Sequence, residues 1–462
     1  MPGIFRIADG VEMTADKLHE YIQKNDAEVS NHYKKLQEAY NTDYEIFHLP
    51  KKPVWKPDNR IAVNFAKYIV DTLNGFFIGI PIKVDAEETD ISDYVNYLDQ
   101  YNDQDDNNAE LSKTCLIYGR GYEMYFVDED GEIGITYLDP MEAFMIFDES
   151  ILQRPRFFVR TYKDTEGVVH GSISDETIIR YFDINPTLKF RDGEDKAHGF
   201  DGVPAVEYIA NAERQGIFEP VLSMVDAYNK AISEKANDVD YFADAYMKIL
   251  GAKLEGEDLQ HIRENRLINF DGVGDGNLVV DFMQKPSADA TQENLIDRLE
   301  RLIFQISMVA NINDENFGAA TGIALKYKLQ SMSNLAKTLE RKFTSGMNRR
   351  YKLIFSNPVS GMKEDDWTLL DYKFTRNFPA NELEESQIAG NLSGITSHET
   401  QLKVLSVVDD VQAELDKIKE EQDEEGYQTD YPTNRTVVIE DGEETELLAE
   451  QAAATEQGTG NR

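Results

Sequence analysis

The sequence predicts an α+β fold, mostly helical and elongated. Three observations carry this. Long stretches between Glu219 and Pro358 repeat apolar residues at helical spacing, a run of short strand-like segments lies between residues 120 and 210, and 462 residues at 41% hydrophobic can bury two or three cores.

The helices come first. Leu222, Val225, Ile232, Ala236, Val239, Ala243, Tyr246 and Leu250 recur at steps of mostly three and four, as one buried stripe requires. After a turn-rich β insertion, Leu295, Leu299, Leu302, Ile306 and Val309 repeat the pattern, while Ile296 and Ile303 begin a second stripe. That second helix is therefore expected to be buried on more than one side. A polar break from Asn311 to Gly318 stops it, and Leu325, Leu329, Met332, Leu335, Leu339, Phe343, Met347 and Tyr351 carry a third run. At about 1.5 Å per residue these rods are about 30 to 50 Å long.

Before them, Leu18, Tyr21, Ile22, Val29, Tyr33, Leu36 and Tyr40 predict a helix over 14–40 with Thr14 as its cap. The Pro-rich link from Pro50 to Pro57 ends it. A second helix is expected from Asn59 to Asn74-Gly75, then a buried strand within Phe76–Val84, then a helix over 92–118. Tyr122–Val127 and Ile133–Leu138 flank Asp128-Glu129-Asp130-Gly131, a hairpin signal. Further strands are expected at Ala143–Phe147, Arg156–Tyr162, Val168–Ser172 and Ile178–Asp183. Past the rods, Trp367–Phe374 alternates like a strand. Asn381 with Glu384, and Thr396 with Glu399, have capping-box spacing and predict helices over 382–392 and 397–424. Beyond Gly426 the composition predicts disorder.

Charge narrows the function. A net charge of −39 disfavours wrapping or reading nucleic acid. From Asn381 to Arg462 there are 21 acidic and five basic residues, whereas from Gly322 to Lys352 eight basic residues face Glu340 alone. A basic rod in an acidic chain points to an acidic partner, either DNA or a neighbouring subunit; a merely solvated face is the competing reading.

Catalytic signals are missing. Cys115 is the single cysteine, no Cys/His cluster has zinc-site spacing, and no Walker A motif occurs. Gly272-Val273-Gly274-Asp275-Gly276 lacks dinucleotide-loop spacing, and Asp128–Gly131 and Asp103–Asn108 do not fit a calcium loop. The seven histidines form no triad or metal pair. No enzyme, cofactor, metal site, signal peptide or membrane span is expected.

Several motifs then fall in a telling order. Asn59-Arg60-Ile61 with Asn64, Ile69-Val70-Asp71, Gly79-Ile80-Pro81, Gly119-Arg120-Gly121-Tyr122, Val203-Pro204 with Asn211, and Val225-Asp226-Ala227-Tyr228-Asn229-Lys230 with Ser233 and Asn237-Asp238 succeed one another. In sequence and spacing the chain resembles the portal proteins of long-tailed double-stranded DNA bacteriophages, over about residues 45–425.

The resemblance implies a portal-type subunit in a homo-oligomeric ring, usually of twelve, at one capsid vertex. It implies a wing over 1–218, stem helices over 219–247 and 289–310, a clip over 248–288, a tunnel loop over 311–320, a long wing helix and strand over 321–380, a crown over 381–425, and an acidic tail over 426–462. The DNA-channel loop would present Asn311, Asn313, Asp314, Glu315, Asn316 and Phe317. The clip, with His261, Arg263, Asn265, Arg266, Asp271 and Asp275, would dock the terminase large subunit and the head-completion adaptor. Lys326, Lys328, Lys337, Arg341, Lys342, Arg349 and Arg350 are candidate contacts to DNA or to a neighbouring subunit. Scaffold and major capsid protein are further expected partners, and the virion the expected location. A non-channel structural or adaptor protein is the alternative.

Overall fold

The structure is a computed structural model that describes residues 3–53, 56–243, 247–250, 267–270, 279–282, 289–312, 327–377, 382–405, 407–408 and 410–425. The chain divides into a unit spanning Met1–Phe378 and a second spanning Pro379–Arg462.

In the first unit, β1 (Phe5–Ile7) precedes α1 (Ala15–Glu28), whose first amides are capped by Thr14, as Lys17 N–H donates to its hydroxyl. A single π-helical turn at Val29–Tyr33 joins α1 to α2 (Lys34–Tyr40), and α3 (Glu45–His48) is one turn long. The next helix, α4 (Phe65–Ile78), starts later than expected because Asn64 caps it and residues 59–63 run extended. It also outlasts Asn74-Gly75. Phe76, Phe77 and Ile78 are buried in the core as helix, so packing overrides their strand-like composition. The strand β2 is Lys83–Ala86 alone.

The expected 92–118 helix is two, α5 (Thr89–Tyr101) and α6 (Gln104–Tyr118), broken where Asp103 takes φ +48°. Asp103–Asn108 is the break and the first turn of α6, with Gln104 and Asn108 facing the interior and Asp103, Asp105 and Asp106 exposed. Gly119, at φ +81°, ends α6 with its would-be Cβ against the Arg214 backbone, a place only glycine fills.

The hairpin of β3 (Arg120–Val127) and β4 (Ile133–Leu138) forms as predicted. Its turn uses Asp128 Oδ1 to accept the amides of Asp130 and Glu132 at 3.0 Å, which occupies the carboxylate that a cation would need. β5 (Ala143–Asp148), β6 (Pro155–Lys163), β7 (Val169–Ser174) and β8 (Ile178–Ile184) follow within a residue or two of expectation. β9 (Leu188–Phe190), β10 (Lys196–Ala197) and β11 (Ala205–Ile209) were not expected. One sheet runs β1-β5-β6-β7-β8-β10 with β9 on β8, and a second runs β11-β3-β4.

α7 (Leu222–Ala243) then gives way to strand β12 (Met247–Leu250), so Leu250 belongs to a strand and not to the helical stripe. β12 lies between β13 (Leu267–Phe270) and β14 (Val279–Phe282). The chain returns as α8 (Asp289–Ser307) and, after the break, α9 (Gln330–Ser356), about 40 Å long. Only Leu370–Lys373 of the expected late strand is extended, as β15 on β2; a 3-10 turn takes Asp366–Leu369. The principal core packs α2, α4, α5, α6 and α9 around the β3–β4–β11 sheet.

The second unit holds α10 (Glu382–Asn391), α11 (His398–Leu402) and α12 (Val411–Glu425), so the expected 397–424 helix is interrupted. Its cap is Ser397, which accepts Thr400 N–H, and not Thr396; Asn381 lies outside the described residues. Among the described residues no helix is long and apolar enough to cross a membrane.

Candidate functional site

α7 buries a polar stripe. Asn229, Ser233 and Asn237, each four apart, lie on one face, and the extended segment 59–63 runs antiparallel along it. Val63 N–H donates to Asn229 Oδ1 (2.8 Å), Ile61 N–H to Ser233 Oγ (2.9 Å), and Asn59 N–H to Asn237 Oδ1 (2.7 Å). Ser233 Oγ–H donates to Ile61 C=O at 3.0 Å. The match is metric: four helical residues rise about 6 Å, two extended residues about 6.6 Å. Helix side chains thus serve a passing strand as a neighbouring strand would.

Phe65, at the start of α4, then bridges α7 and α8, its ring 4.9 Å from Tyr228 and 5.7 Å from Phe304. Where the chain leaves α8, Met308 takes φ +61°, Asn311 Nδ2 donates to Glu300 Oε1, and Ile312 N–H donates to Tyr68 Oη at 2.9 Å. The entry to the polar break is therefore tied to both α4 and α8. Along α8, Ile296 and Ile303 are buried, while Leu295 and Ile306 on the other stripe are 50% and 43% exposed and Leu302 is half-buried. The stripe expected to do most of the packing is divided: Val309 is buried and Leu299 packs against the principal core, whereas Leu295 and Ile306 stay open. On α7, Val239 is 60% exposed.

α9 has two contrasting faces. Lys337, Arg341, Arg349 and Lys352 are exposed and Lys342 half-buried. Among the described residues no carboxylate comes within ion-pairing distance of these five; the nearby Glu340 pairs with Arg376 instead. Arg350 corrects the expectation for this helix: it is 0% exposed and cannot reach DNA or a neighbouring subunit. Nine residues from Arg341, it sits two and a half turns away and points inward. Its Nε and Nη2 each donate to Glu123 at 2.8 Å, and Nη2 to Asn108 Oδ1 at 2.6 Å.

Glu123 also accepts from Tyr125 Oη (2.6 Å), Tyr208 Oη (3.2 Å) and Gln104 Nε2 (3.2 Å). Burial opposes the Arg350 charge, and Glu123 with the surrounding tyrosines outweighs it, so its pKa stays above the ordinary arginine value. Gly346 lets Tyr208 lie against the helix, since a Cβ there would meet the ring at 2.3 Å. Beside this cluster, Asp99 is pushed up to about 6, chiefly by burial, with Arg350 opposing and Asp105 and Glu123 adding to the rise.

Of the sequence-predicted residues, Asn311 is tied to Glu300, and Lys328, Lys337, Arg341, Lys342 and Arg349 have surface positions. Asn313, Asp314, Glu315, Asn316, Phe317, Lys326, His261, Arg263, Asn265, Arg266, Asp271 and Asp275 lie outside the described residues. Sequence reasoning missed the Asn229–Ser233–Asn237 ladder and the Glu123 cluster. A signal existed for the first: polar residues at steps of four, in phase with Val225 and Tyr228. Among the described residues no group of histidine, cysteine or acidic side chains is close enough to hold a metal.

Of the residues that carried the resemblance, Asn59, Ile61, Asn229, Ser233 and Asn237 make the cross-element contacts of the ladder. Residues 18–427 match the family described as "Phage portal protein, SPP1 Gp6-like". A portal protein of Clostridium phage phiCD119 is 23% identical over 390 residues, covering 78% of this chain and 84% of its own. A portal protein of Bacillus phage SPP1 is 24% identical over 396 residues, covering 79% and 76%. The chain belongs to the SPP1 Gp6-like family of phage portal proteins.

Proposed function

We propose that this chain is a structural, non-enzymatic virion subunit. Copies of it form a ring at a capsid vertex, and the ring is the channel through which double-stranded DNA is packaged and ejected. The observation that carries the reading is the pair of exposed apolar residues Leu295 and Ile306 on α8, beside half-buried Leu302, on a helix whose Ile296 and Ile303 are already buried within the chain. Such a seam calls for a protein neighbour, and relatives named portal proteins support a neighbour of the same kind.

The strongly acidic chain suits a channel that repels phosphates and keeps DNA mobile. The loop that begins at Asn311 and continues through Phe317 lines the passage. The segment between α7 and α8 docks the terminase large subunit and later the head-completion adaptor; scaffold and major capsid protein contact the ring elsewhere. Twelve subunits is the expected number.

Mass measurement of the purified chain with electron-microscopy class averages tests this. A closed ring with a central hole is expected. A monomer at high concentration under every salt condition overturns the reading, and an assembly without a hole favours an adaptor. Deleting residues 313–317 should block packaging and leave assembly intact.

A further inference from the structure

A cleft of about 800 Å³ lies between β2, α5 and the start of α6. Its lining includes Asp85, Asp99, Asp103, Asp105 and Asp106 against a single cation, Lys83. One polar atom of a lining residue is unsatisfied, Oε1 of Gln104, a residue 1% exposed. It is an acceptor, and a buried acceptor without a donor is costly. The aspartates are too dispersed to surround one metal ion, since no such group occurs among the described residues. The cleft is therefore shaped for several hydrogen-bond-donating cations set along a surface, and its negative charge excludes DNA.

The cationic face of α9 has the complementary character. Lys337, Arg341 and Lys352 are exposed and without a carboxylate partner among the described residues, and the face extends over about 22 Å of helix. It cannot serve its own cleft. Arg350, on the side of α9 opposite Arg341, reaches toward Glu123, which also accepts from cleft-lining Gln104. The cationic face and the cleft thus lie on opposite sides of one helical layer. A contact between them requires two chains and joins unlike surfaces, the head-to-tail arrangement that closes rings.

We propose that the Lys337–Arg341–Lys352 face of one subunit docks into the aspartate cleft of the next copy of this chain. This deepens the ring reading and rests on it.

The test uses the full chain and two charge-reversed forms. One carries Lys337→Glu, Arg341→Glu and Lys352→Glu; the other carries Asp103→Lys, Asp105→Lys and Asp106→Lys. All six sites are exposed, so folding is checked by melting. If either reversed form melts early, Gln at the three basic sites and Asn at the three acidic ones replace it. Light scattering after gel filtration near 0.15 M NaCl should show the assembled fraction lowered tenfold or more in each form alone. Mixing the two reversed forms should restore it, because each then presents the charge that the other lacks. With the neutral forms, the expected result is a weaker salt dependence of assembly than in the wild type.

Normal assembly of both reversed forms, or of both neutral forms with unchanged salt dependence, overturns the docking and leaves the ring intact. So does a basic-face variant that assembles normally and loses only DNA passage. A wild-type chain that is monomeric at every salt overturns the ring reading itself.

Discussion

The Arg350–Glu123 cluster and the Asn229–Ser233–Asn237 ladder both bury polar groups, by opposite means. The first concentrates a full charge pair and two tyrosine hydroxyls at one point of the core. The second spreads neutral bonds over two turns of α7 and satisfies backbone amides with them. A concentrated charge pair fails all at once when one partner is removed, whereas a ladder gives way rung by rung.

The largest expected effect breaks the first of these. Arg350→Met leaves Glu123 charged and buried, and should cost about 3–5 kcal/mol in denaturant unfolding. Adding Glu123→Leu should recover part of that loss; no recovery would show that the tyrosine and amide contacts matter more than the charges.

The ladder should behave differently. Asn229→Ala, Ser233→Ala and Asn237→Ala should each cost about 1–2 kcal/mol. Amide exchange near residues 59–63 should quicken only beside the altered rung. Uniform loss of protection along the segment would mean that the rungs act as one unit.

A pH effect of similar order is expected beside the cluster. Because the folded pKa of Asp99 is raised to about 6, folding holds its proton more tightly than the unfolded chain does. The protein should lose stability as pH rises from about 4 through 6. Melting series across that range should show a shallower loss in Asp99→Asn than in the wild type, and parallel curves would contradict the assignment.

The smallest effect lies at the surface. The His170 pKa is raised by hydrogen bonds to Asp183 first and Asp164 next. Its contribution is fully present below about pH 6.5 and disappears as pH rises through the raised value. His170→Gln should remove that small dependence in melts between pH 6 and 8.

Much of the fold was legible because apolar periodicity is a strong signal. The β3–β4 hairpin, the strands through β8 and the long helices follow from it. What stayed hidden depends on phase and context. The basic residues of α9 read as one face, although Arg350 projects from the side opposite Arg341 and its partner Glu123 is 227 residues away. Asn59–Val63 resembled a helix start, because nothing local shows that Asn237, Ser233 and Asn229 hold it extended. Of the candidate channel and docking residues only Asn311 falls within the described structure, whereas of the candidate contact cations all but Lys326 do.

The strap of residues 59–63 has a mechanical consequence. It lies along the axis of α7, so a pull along that axis loads its three rungs in shear, together, instead of peeling them one after another. The strap joins α4 at its cap, Asn64, and the next residue, Phe65, packs its buried ring against Tyr228 of α7, so α7 and α4 are coupled both through the strap and through the core. One turn further along α4, Tyr68 accepts Ile312 N–H, so the load path from α7 ends at the entry to the polar break.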